Sequence, residues 1–144
     1  MENTYLDYAA TTPVDPDVLN SMIPYFTEKF GNPSSIHRHG QKAEAALETA
    51  RERIALQLSC NPGEIIFTSG GSEADNLAIR GTVLARRSET QADRILITPV
   101  EHEAVKRTAK QMQDLFGFRL EFIPVDSEGR VILAGLEEML TEEV

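Results

Sequence analysis

The chain has 144 residues, of which 41% are hydrophobic, and a formal net charge of −9. This length and composition predict one soluble globular domain with a real core. The negative charge disfavours nucleic acid as a partner, because binding to its phosphates needs clustered Lys and Arg. No apolar run approaches the roughly 20 residues needed to cross a bilayer, so no membrane association is expected.

Cys60 is the single cysteine and cannot form an intramolecular disulfide. The first ten residues lack the basic and apolar regions of a signal peptide, and a cytoplasmic location is therefore expected. Cys60 precedes Asn-Pro after an amphipathic helix, which favours a structural role over a nucleophilic one. No His/Cys/Asp cluster has the spacing of metal ligands, so no metal is expected.

The first part of the chain is predicted to be helical. Asp15 as N-cap and Pro16 at the first helical position begin a helix, although Pro24 should kink or interrupt it. Residues 31–40, GNPSSIHRHG, are predicted to form a loop. A long amphipathic helix is then expected from residue 41 to about residue 59.

The second part alternates apolar strands with amphipathic helices. The segment EIIFTS at 64–69 is typical of a short strand and leads into a helix over roughly 72–87. Further strands are predicted at 94–99 and 118–125, and further helices at 103–116 and 133–143. Strands and helices that alternate at short spacing predict a βαβ arrangement with a mainly parallel sheet.

Two glycines and a hydroxyl stand where the first of these strands meets its helix, in FTSGGSEADN at 67–76. A helix N-terminus offers unpaired amides and the positive end of the macrodipole, so this turn suits a phosphate. The alternative is that Ser72 caps the helix, that Glu73 and Asp75 favour its first turn, and that the glycines only permit the bend. The turn matches neither a Walker A loop nor a dinucleotide fingerprint. These residues alone leave both interpretations open.

The segment TPVEHEAV supplies the second candidate. Glu101 and His102 follow a predicted strand, at the carboxyl edge where open α/β sheets place their ligands. An imidazole there can stack on a planar ring or move a proton near neutral pH. The alternative for a lone histidine in a loop is a solvated or capping residue. His37 and His39 are further candidates for ligand contacts, but a polar loop is the simpler interpretation.

Four segments, in this order and spacing, resemble the N-terminal part of the cysteine desulfurases, which belong to the class V aminotransferase-like enzymes that use pyridoxal 5′-phosphate (PLP). They are YLDYAATTPVDP, FGNPSSIH, EIIFTSGGSEADNLAIRG and TPVEHEAV. The resemblance implies an α/β fold, the incomplete N-terminal part of a fold-type I large domain with flanking helices. The implied divisions are an arm at 1–14, a helical segment at 15–60 with an active-site or interface loop at 31–40, and a partial βαβ cofactor-binding domain at 61–144.

The resemblance also implies roles for single residues. Gly71 and Ser72 match positions that hold the cofactor phosphate through a backbone amide and a hydroxyl, with Ser72 where the family usually has Thr. His102 matches the histidine that stacks over the pyridine ring and assists proton transfer, and is therefore both a cofactor-binding and a catalytic candidate. Asn76 and Glu73 are expected to support the start of the helix.

The implied activity takes sulfur from L-cysteine, leaving alanine and an enzyme persulfide for iron-sulfur cluster assembly or thiolation. The implied partners are a sulfur acceptor or iron-sulfur scaffold protein and a second subunit in a homodimer. The family's Schiff-base lysine, in a Ser-x-His-Lys setting, and its mobile catalytic cysteine match nothing in this chain.

We therefore expect an N-terminal piece that is inactive alone and is unstable, aggregates or waits for a complementary C-terminal fragment. The resemblance also implies that neighbouring strands of the first strand lie outside this chain. The alternative is a non-catalytic phosphate-binding or partner-binding module derived from the family. A plain α/β domain without a ligand is disfavoured by the order of the four segments.

Overall fold

The computed structural model describes residues 4–144, which divide into two compact units at the boundary between Ile66 and Phe67. Residues 1–3 of the expected N-terminal arm lie outside the described residues. In the part of the chain that is described, no helix is both long enough and apolar enough to cross a membrane.

The first unit contains two α-helices, α1 (Pro16–Thr27) and α2 (Arg38–Leu58), and one turn of 3₁₀ helix (Pro62–Glu64). The predicted start of α1 is confirmed, because the Asp15 carboxylate accepts hydrogen bonds from the amides of Asp17 at 2.8 Å and Val18 at 3.3 Å. The predicted interruption at Pro24 is wrong. Proline removes only one N–H near the end of the helix, and the Pro24 carbonyl still accepts from the Glu28 amide at 2.9 Å.

Helix α2 begins three residues before its predicted start and takes in the end of the predicted loop. The His37 side chain is the cap, since its Nδ1 accepts a hydrogen bond from the Gly40 amide at 3.3 Å. Gly40 is buried, and a Cβ built on it would lie 2.1 Å from the Ser35 carbonyl oxygen. The close approach of the loop to the first turn of α2 therefore requires glycine at this position.

The second unit contains three helices and two strands. The helices are α3 (Gly71–Thr90), α4 (Glu103–Phe116) and α5 (Leu133–Met139), and the strands are β1 (Arg94–Ile97) and β2 (Arg119–Phe122). The two strands are parallel and paired along their whole length, with α4 as the connection between them. The predicted βαβ arrangement with a parallel sheet is confirmed.

The core of this unit forms where α4 covers the two strands. Ile95 and Ile97 alternate along β1 and are both buried, as the period of a strand requires. Met112 of α4 is fully buried against them, which is worth roughly 1.5–3 kcal/mol for a side chain of this size. Helix α3 packs against α4, and its Ile79 and Val83 border the same cluster.

The predicted strand at 64–69 is wrong. Residues 65–68 have no regular secondary structure, and the sheet of the described chain consists of β1 and β2 alone. A strand is stable only when a neighbouring strand pairs its amides and carbonyls. The apolar pattern of this segment fits a strand, but no described segment lies beside it to form the backbone hydrogen bonds of a sheet.

Two ion-pair clusters lie beside the amino ends of the strands. Arg94 donates to both carboxylate oxygens of Glu121, at 2.9 Å and 2.7 Å, and Arg119 binds Asp93 and Glu143. The Arg119 guanidinium holds the pKa of Asp93 below its ordinary value, and Arg94 does the same for the pKa of Glu121. These pairs tie β1, β2 and the last residues of the chain together.

We predict that Gly40→Ala destabilises the first unit by about 1–3 kcal/mol, because the added methyl group collides with the Ser35 carbonyl. Gly63→Ala is the matched control, since a Cβ at Gly63 meets nothing within 4 Å. Urea denaturation of both variants measures the difference. Equal midpoints for the two variants would contradict the close contact.

We predict that Asp93→Asn lowers stability at neutral pH but not in strong acid. A carboxyl with a depressed folded-state pKa stabilises the fold above its unfolded-state pKa of about 3.9, and this contribution disappears as pH falls through the folded-state pKa. Urea midpoints at about pH 7 and about pH 2 test this. Glu138→Gln is the control, because Glu138 is exposed on α5 and forms no ion pair. Its urea midpoint is expected to equal that of the wild type at both pH values.

Candidate functional site

The turn before α3 is closed by Glu73 and Ser69. The Glu73 carboxylate accepts hydrogen bonds from the Ser69 amide at 2.7 Å and the Ser69 hydroxyl at 2.6 Å. These two donors lower the pKa of Glu73 and keep it ionised at neutral pH. The residue at the N-cap position is Gly70, which has no side chain to form a cap, so the alternative that Ser72 caps this helix is wrong. The expected supporting role of Glu73 at the helix start agrees with these contacts.

The first turn of α3 leaves donors unpaired. Gly71 and Ser72 are the first two helical residues, so their amides have no acceptor within the helix. A Cβ built on Gly70 or Gly71 would meet nothing within 4 Å, which means that the space beside these glycines is open. In the described chain the Ser72 hydroxyl makes no hydrogen bond, and the turn is closed by Glu73 instead. This helix start therefore offers two amides and one hydroxyl.

His102 is the N-cap of α4. Its Nδ1 accepts a hydrogen bond from the Ala104 amide at 3.1 Å, so the capping interpretation of this histidine is confirmed. An Nδ1 that accepts carries no proton, and the neutral ring then has its proton on Nε2. The cap fixes the tautomer and leaves Nε2 of this exposed side chain outside the cap.

One cavity of about 540 Å³ brings the two candidates together. Ser72 and Asn76 of α3 line one side, and His102 with the first turns of α4 lines the other. Asn76 supports this helix start, since its side-chain amide donates to the Ser72 carbonyl oxygen at 2.8 Å. Gly71 is adjacent to Ser72 but does not itself line the cavity. The remaining lining residues are Glu103, Ala104, Arg107, Thr108 and Gln111.

The α4 residues of this cavity were missed by sequence reasoning. Positions 104, 107, 108 and 111 form one stripe along a helix, and extending the helical period from His102 would have found them. Arg107 pairs with Glu103 at 3.0 Å, but their side chains are 82% and 63% exposed. Such an exposed pair is weak, so the guanidinium is available to an anion in the cavity.

The residues present fit PLP. The volume lies within the range of small-molecule sites, roughly 300–1,000 Å³. Helix amides, the Ser72 hydroxyl and the Arg107 guanidinium suit a phosphate, while the His102 ring suits an aromatic face. No lysine is among the residues that line this cavity.

The other sequence candidates lie elsewhere. Glu101 accepts a hydrogen bond from the Thr98 hydroxyl at 2.8 Å and borders a different groove. In the first unit, His37 caps α2 and the ring of His39 stacks on Phe30 at a centroid distance of 5.8 Å. Cys60 is a half-buried free thiol. Across residues 4–144, no group of His, Cys, Asp and Glu is arranged to hold a metal ion.

The fold is similar to part of a solved NifS-like protein. A solved structure of a NifS-like protein superposes with a TM-score of 0.87 at 39% identity, over 95% of this chain and 37% of that one. Residues 4–144 match the aminotransferase class-V family model, and the chain belongs to that family.

Its relatives include proteins named as cysteine desulfurases. The chain is 46% identical over 143 residues to a putative cysteine desulfurase IscS 1 of Bacillus subtilis, which covers 99% of this chain and 37% of that protein. It is 43% identical over 142 residues to the cysteine desulfurase IscS of Clostridium botulinum, with 99% and 35% covered. The chain thus spans little more than a third of the length of these relatives.

We predict that His102→Ala lowers stability by about 1 kcal/mol, because α4 loses its N-cap, whereas His102→Asn keeps an oxygen acceptor and stays close to the wild type. Thermal unfolding of both variants measures the effect. If both variants lose the same stability, the histidine stabilises α4 through its ring packing and not through the cap.

Proposed function

We propose that this chain forms the phosphate-binding and ring-binding wall of the PLP site in a cysteine desulfurase. Such an enzyme takes sulfur from L-cysteine and leaves alanine and an enzyme persulfide. The observation that supports the proposal is that Ser72 at the start of α3 and His102 at the start of α4 line one cavity. The relatives named as cysteine desulfurases support the choice of reaction.

In this proposal the start of α3 binds the phosphate. The amides of Gly71 and Ser72 and the Ser72 hydroxyl donate to its oxygens, and the helix macrodipole adds attraction at the same end. A hydrogen bond to a charged group contributes about 1.5–3 kcal/mol. Because Glu73 bonds back to Ser69, its carboxylate takes up neither the two amides nor the hydroxyl.

His102 covers the pyridine ring in this proposal. Its Nδ1 accepts from the Ala104 amide, so the proton of the neutral ring is on Nε2, and Nε2–H is the group that donates a hydrogen bond at the substrate. When bound, PLP supplies an electron-withdrawing ring that stabilises negative charge at the α-carbon of an amino acid. The chain's part is to orient that ring and to hold the proton on one defined nitrogen.

The reaction also needs groups that this cavity does not contain. The four lysines of the chain are Lys29, Lys42, Lys106 and Lys110, and none of them lines the cavity. We therefore propose that the lysine and the cysteine nucleophiles come from a longer polypeptide or a complementing fragment. A second subunit and a sulfur acceptor, such as an iron-sulfur scaffold protein, complete the proposed partners.

We predict that Ser72→Ala weakens binding of pyridoxine 5′-phosphate by roughly tenfold or more, because one hydrogen bond to the phosphate is lost. This probe has no aldehyde and cannot react with lysine. Ser72→Thr keeps the hydroxyl and is expected to bind like the wild type. Isothermal titration calorimetry is run with pyridoxine 5′-phosphate and with unphosphorylated pyridoxine. The difference between the two affinities separates the contribution of the phosphate from that of the ring.

Ser88→Ala is the matched control, since Ser88 lies near the other end of α3 and does not line the cavity. Equal loss in the Ser72 and Ser88 variants would count against a phosphate site at the helix start. If pyridoxine binds as tightly as pyridoxine 5′-phosphate, this result would also count against a phosphate site.

The second candidate is a non-catalytic module that binds a phosphate compound or a partner. The absence of lysine from the cavity favours it for the chain by itself. To separate the candidates, the chain is mixed with the remainder of the Bacillus subtilis relative, and alanine release from L-cysteine is measured. Activity that disappears with His102→Ala supports the desulfurase. Assembly with phosphate binding but without alanine release supports the module.

A further inference from the structure

The cavity that contains Ser72 and His102 is lined by two full charges of opposite sign. Arg107 supplies the positive charge and Glu103 the negative charge, and the other lining side chains of the described chain are uncharged. The His102 ring is one of these uncharged groups, because its Nδ1 accepts the capping hydrogen bond and carries no proton. Two residues of α4 therefore decide which ligand charge this cavity favours.

Arg107 lies in the middle of a stripe along α4. Glu103, Arg107 and Gln111 are spaced by four residues, so they lie on one side of the helix, and all three line the cavity. At one end of the stripe the Gln111 side-chain oxygen accepts a hydrogen bond from the Arg80 guanidinium of α3. That contact joins α3 to α4, and Glu103 at the other end is the partner of Arg107.

The ion pair between Arg107 and Glu103 is easily broken. Arg107 Nε lies 3.0 Å from a Glu103 carboxylate oxygen, but both side chains are exposed. Water screens an exposed pair of this kind, so its net contribution is small. A guanidinium binds a phosphate more strongly, because it can donate two parallel hydrogen bonds to an anion with a larger charge. A phosphate in the cavity is therefore a better partner for Arg107 than Glu103 is.

Glu103 has a second cation beside it on the same helix. Lys106 lies three residues after Glu103, and the two residues line an adjacent groove on α4 together with Arg107. In residues 4–144 Lys106 takes part in no ion pair. An ammonium and a carboxylate at this spacing attract each other across one helical turn. A Glu103 carboxylate that loses Arg107 is therefore not left without a cation.

We propose that Arg107 makes this cavity selective for phosphate monoesters, because its guanidinium leaves Glu103 and binds the phosphate when such a ligand enters. The proposal rests on the proposed function, since it concerns the same phosphate at the same helix start. Before the ligand enters, the Glu103 carboxylate offsets the charge of Arg107. After the exchange, Glu103 faces Lys106 and the guanidinium faces the phosphate.

The charge of Arg107 separates phosphate monoesters from anions with a single charge. The amides of Gly71 and Ser72 and the Ser72 hydroxyl are neutral donors, which suit the oxygens of either kind of ligand. A phosphate monoester carries a charge of about −1.5 to −2 at neutral pH, because its second pKa is about 6. The additional negative charge is therefore recognised by the guanidinium.

The test compares two probes of the same shape, pyridoxine 5′-phosphate and pyridoxine 5′-sulfate, of which the sulfate ester carries a single negative charge. Their dissociation constants for the 144-residue chain are measured by isothermal titration calorimetry at about pH 7.5, where the phosphate is doubly charged. The wild type is expected to bind the phosphate about tenfold more tightly than the sulfate. Arg107→Gln removes the positive charge, and the two affinities should then differ by less than about threefold.

A double-mutant cycle tests the exchange itself. Glu103→Gln removes the competing carboxylate and should tighten phosphate binding by about threefold when Arg107 is present. In the Arg107→Gln background the same change should tighten binding by less than about twofold, because there is no guanidinium to release. The matched control is the exposed pair of Arg86 and Glu89 on α3, which lies outside the cavity. Arg86→Gln and Glu89→Gln change the net charge equally and should leave both affinities unchanged.

An equal preference for the phosphate probe in the wild type and in Arg107→Gln would overturn the proposal. So would a Glu103→Gln variant that binds the phosphate no more tightly than the wild type, or control variants that change the affinities as much as the cavity variants do. Failure of the proposed phosphate site is a different result, in which Ser72→Ala binds the phosphate as tightly as the wild type while Arg107→Gln still weakens it. A wild type that binds neither probe would overturn both.

Discussion

The packing of α3 against α4 is the constraint on which the candidate site depends. Both helices lie against the same apolar cluster, and this arrangement brings Ser72 from the start of one helix and His102 from the start of the other to one cavity. Two helix starts place unpaired amides and two positive dipole ends near the same space. An anion-binding site then needs only small residues and a hydroxyl, and Gly70, Gly71 and Ser72 are such residues.

At both helix starts a polar side chain stabilises the fold without taking up the groups that a ligand needs. Glu73 reaches back to Ser69, so the hydroxyl of Ser72 is not needed as a cap. His102 caps α4 with Nδ1, and its Nε2 takes no part in the cap. A capping interpretation and a ligand-binding interpretation of the same histidine are therefore compatible, because they use different atoms of the ring.

The sequence predicted those helix and strand positions that are determined by interactions between residues close together in the chain. Capping residues and apolar periods predict the start of α1 at Asp15 and both bounds of α4. They also predict the two strands on either side of α4. The strand at 64–69 was wrong, because a strand depends on a neighbour that local pattern does not reveal. The alternative that Ser72 caps α3 was wrong, because the turn is closed by Glu73, whose carboxylate accepts from Ser69. Arg107 lies on the helical stripe that continues from His102, but its place in a cavity depends on α3 lying alongside α4.

The most direct test is a ¹⁵N and ¹³C NMR titration of the chain with pyridoxine 5′-phosphate, which reports on both halves of the cavity at once. The account predicts that the amides of Gly71 and Ser72 and the ring of His102 shift together, with a single binding constant, and that the ring of His102 shows contacts to the pyridine ring. Shifts confined to surface lysines, or movement of the α3 amides without His102, would contradict it.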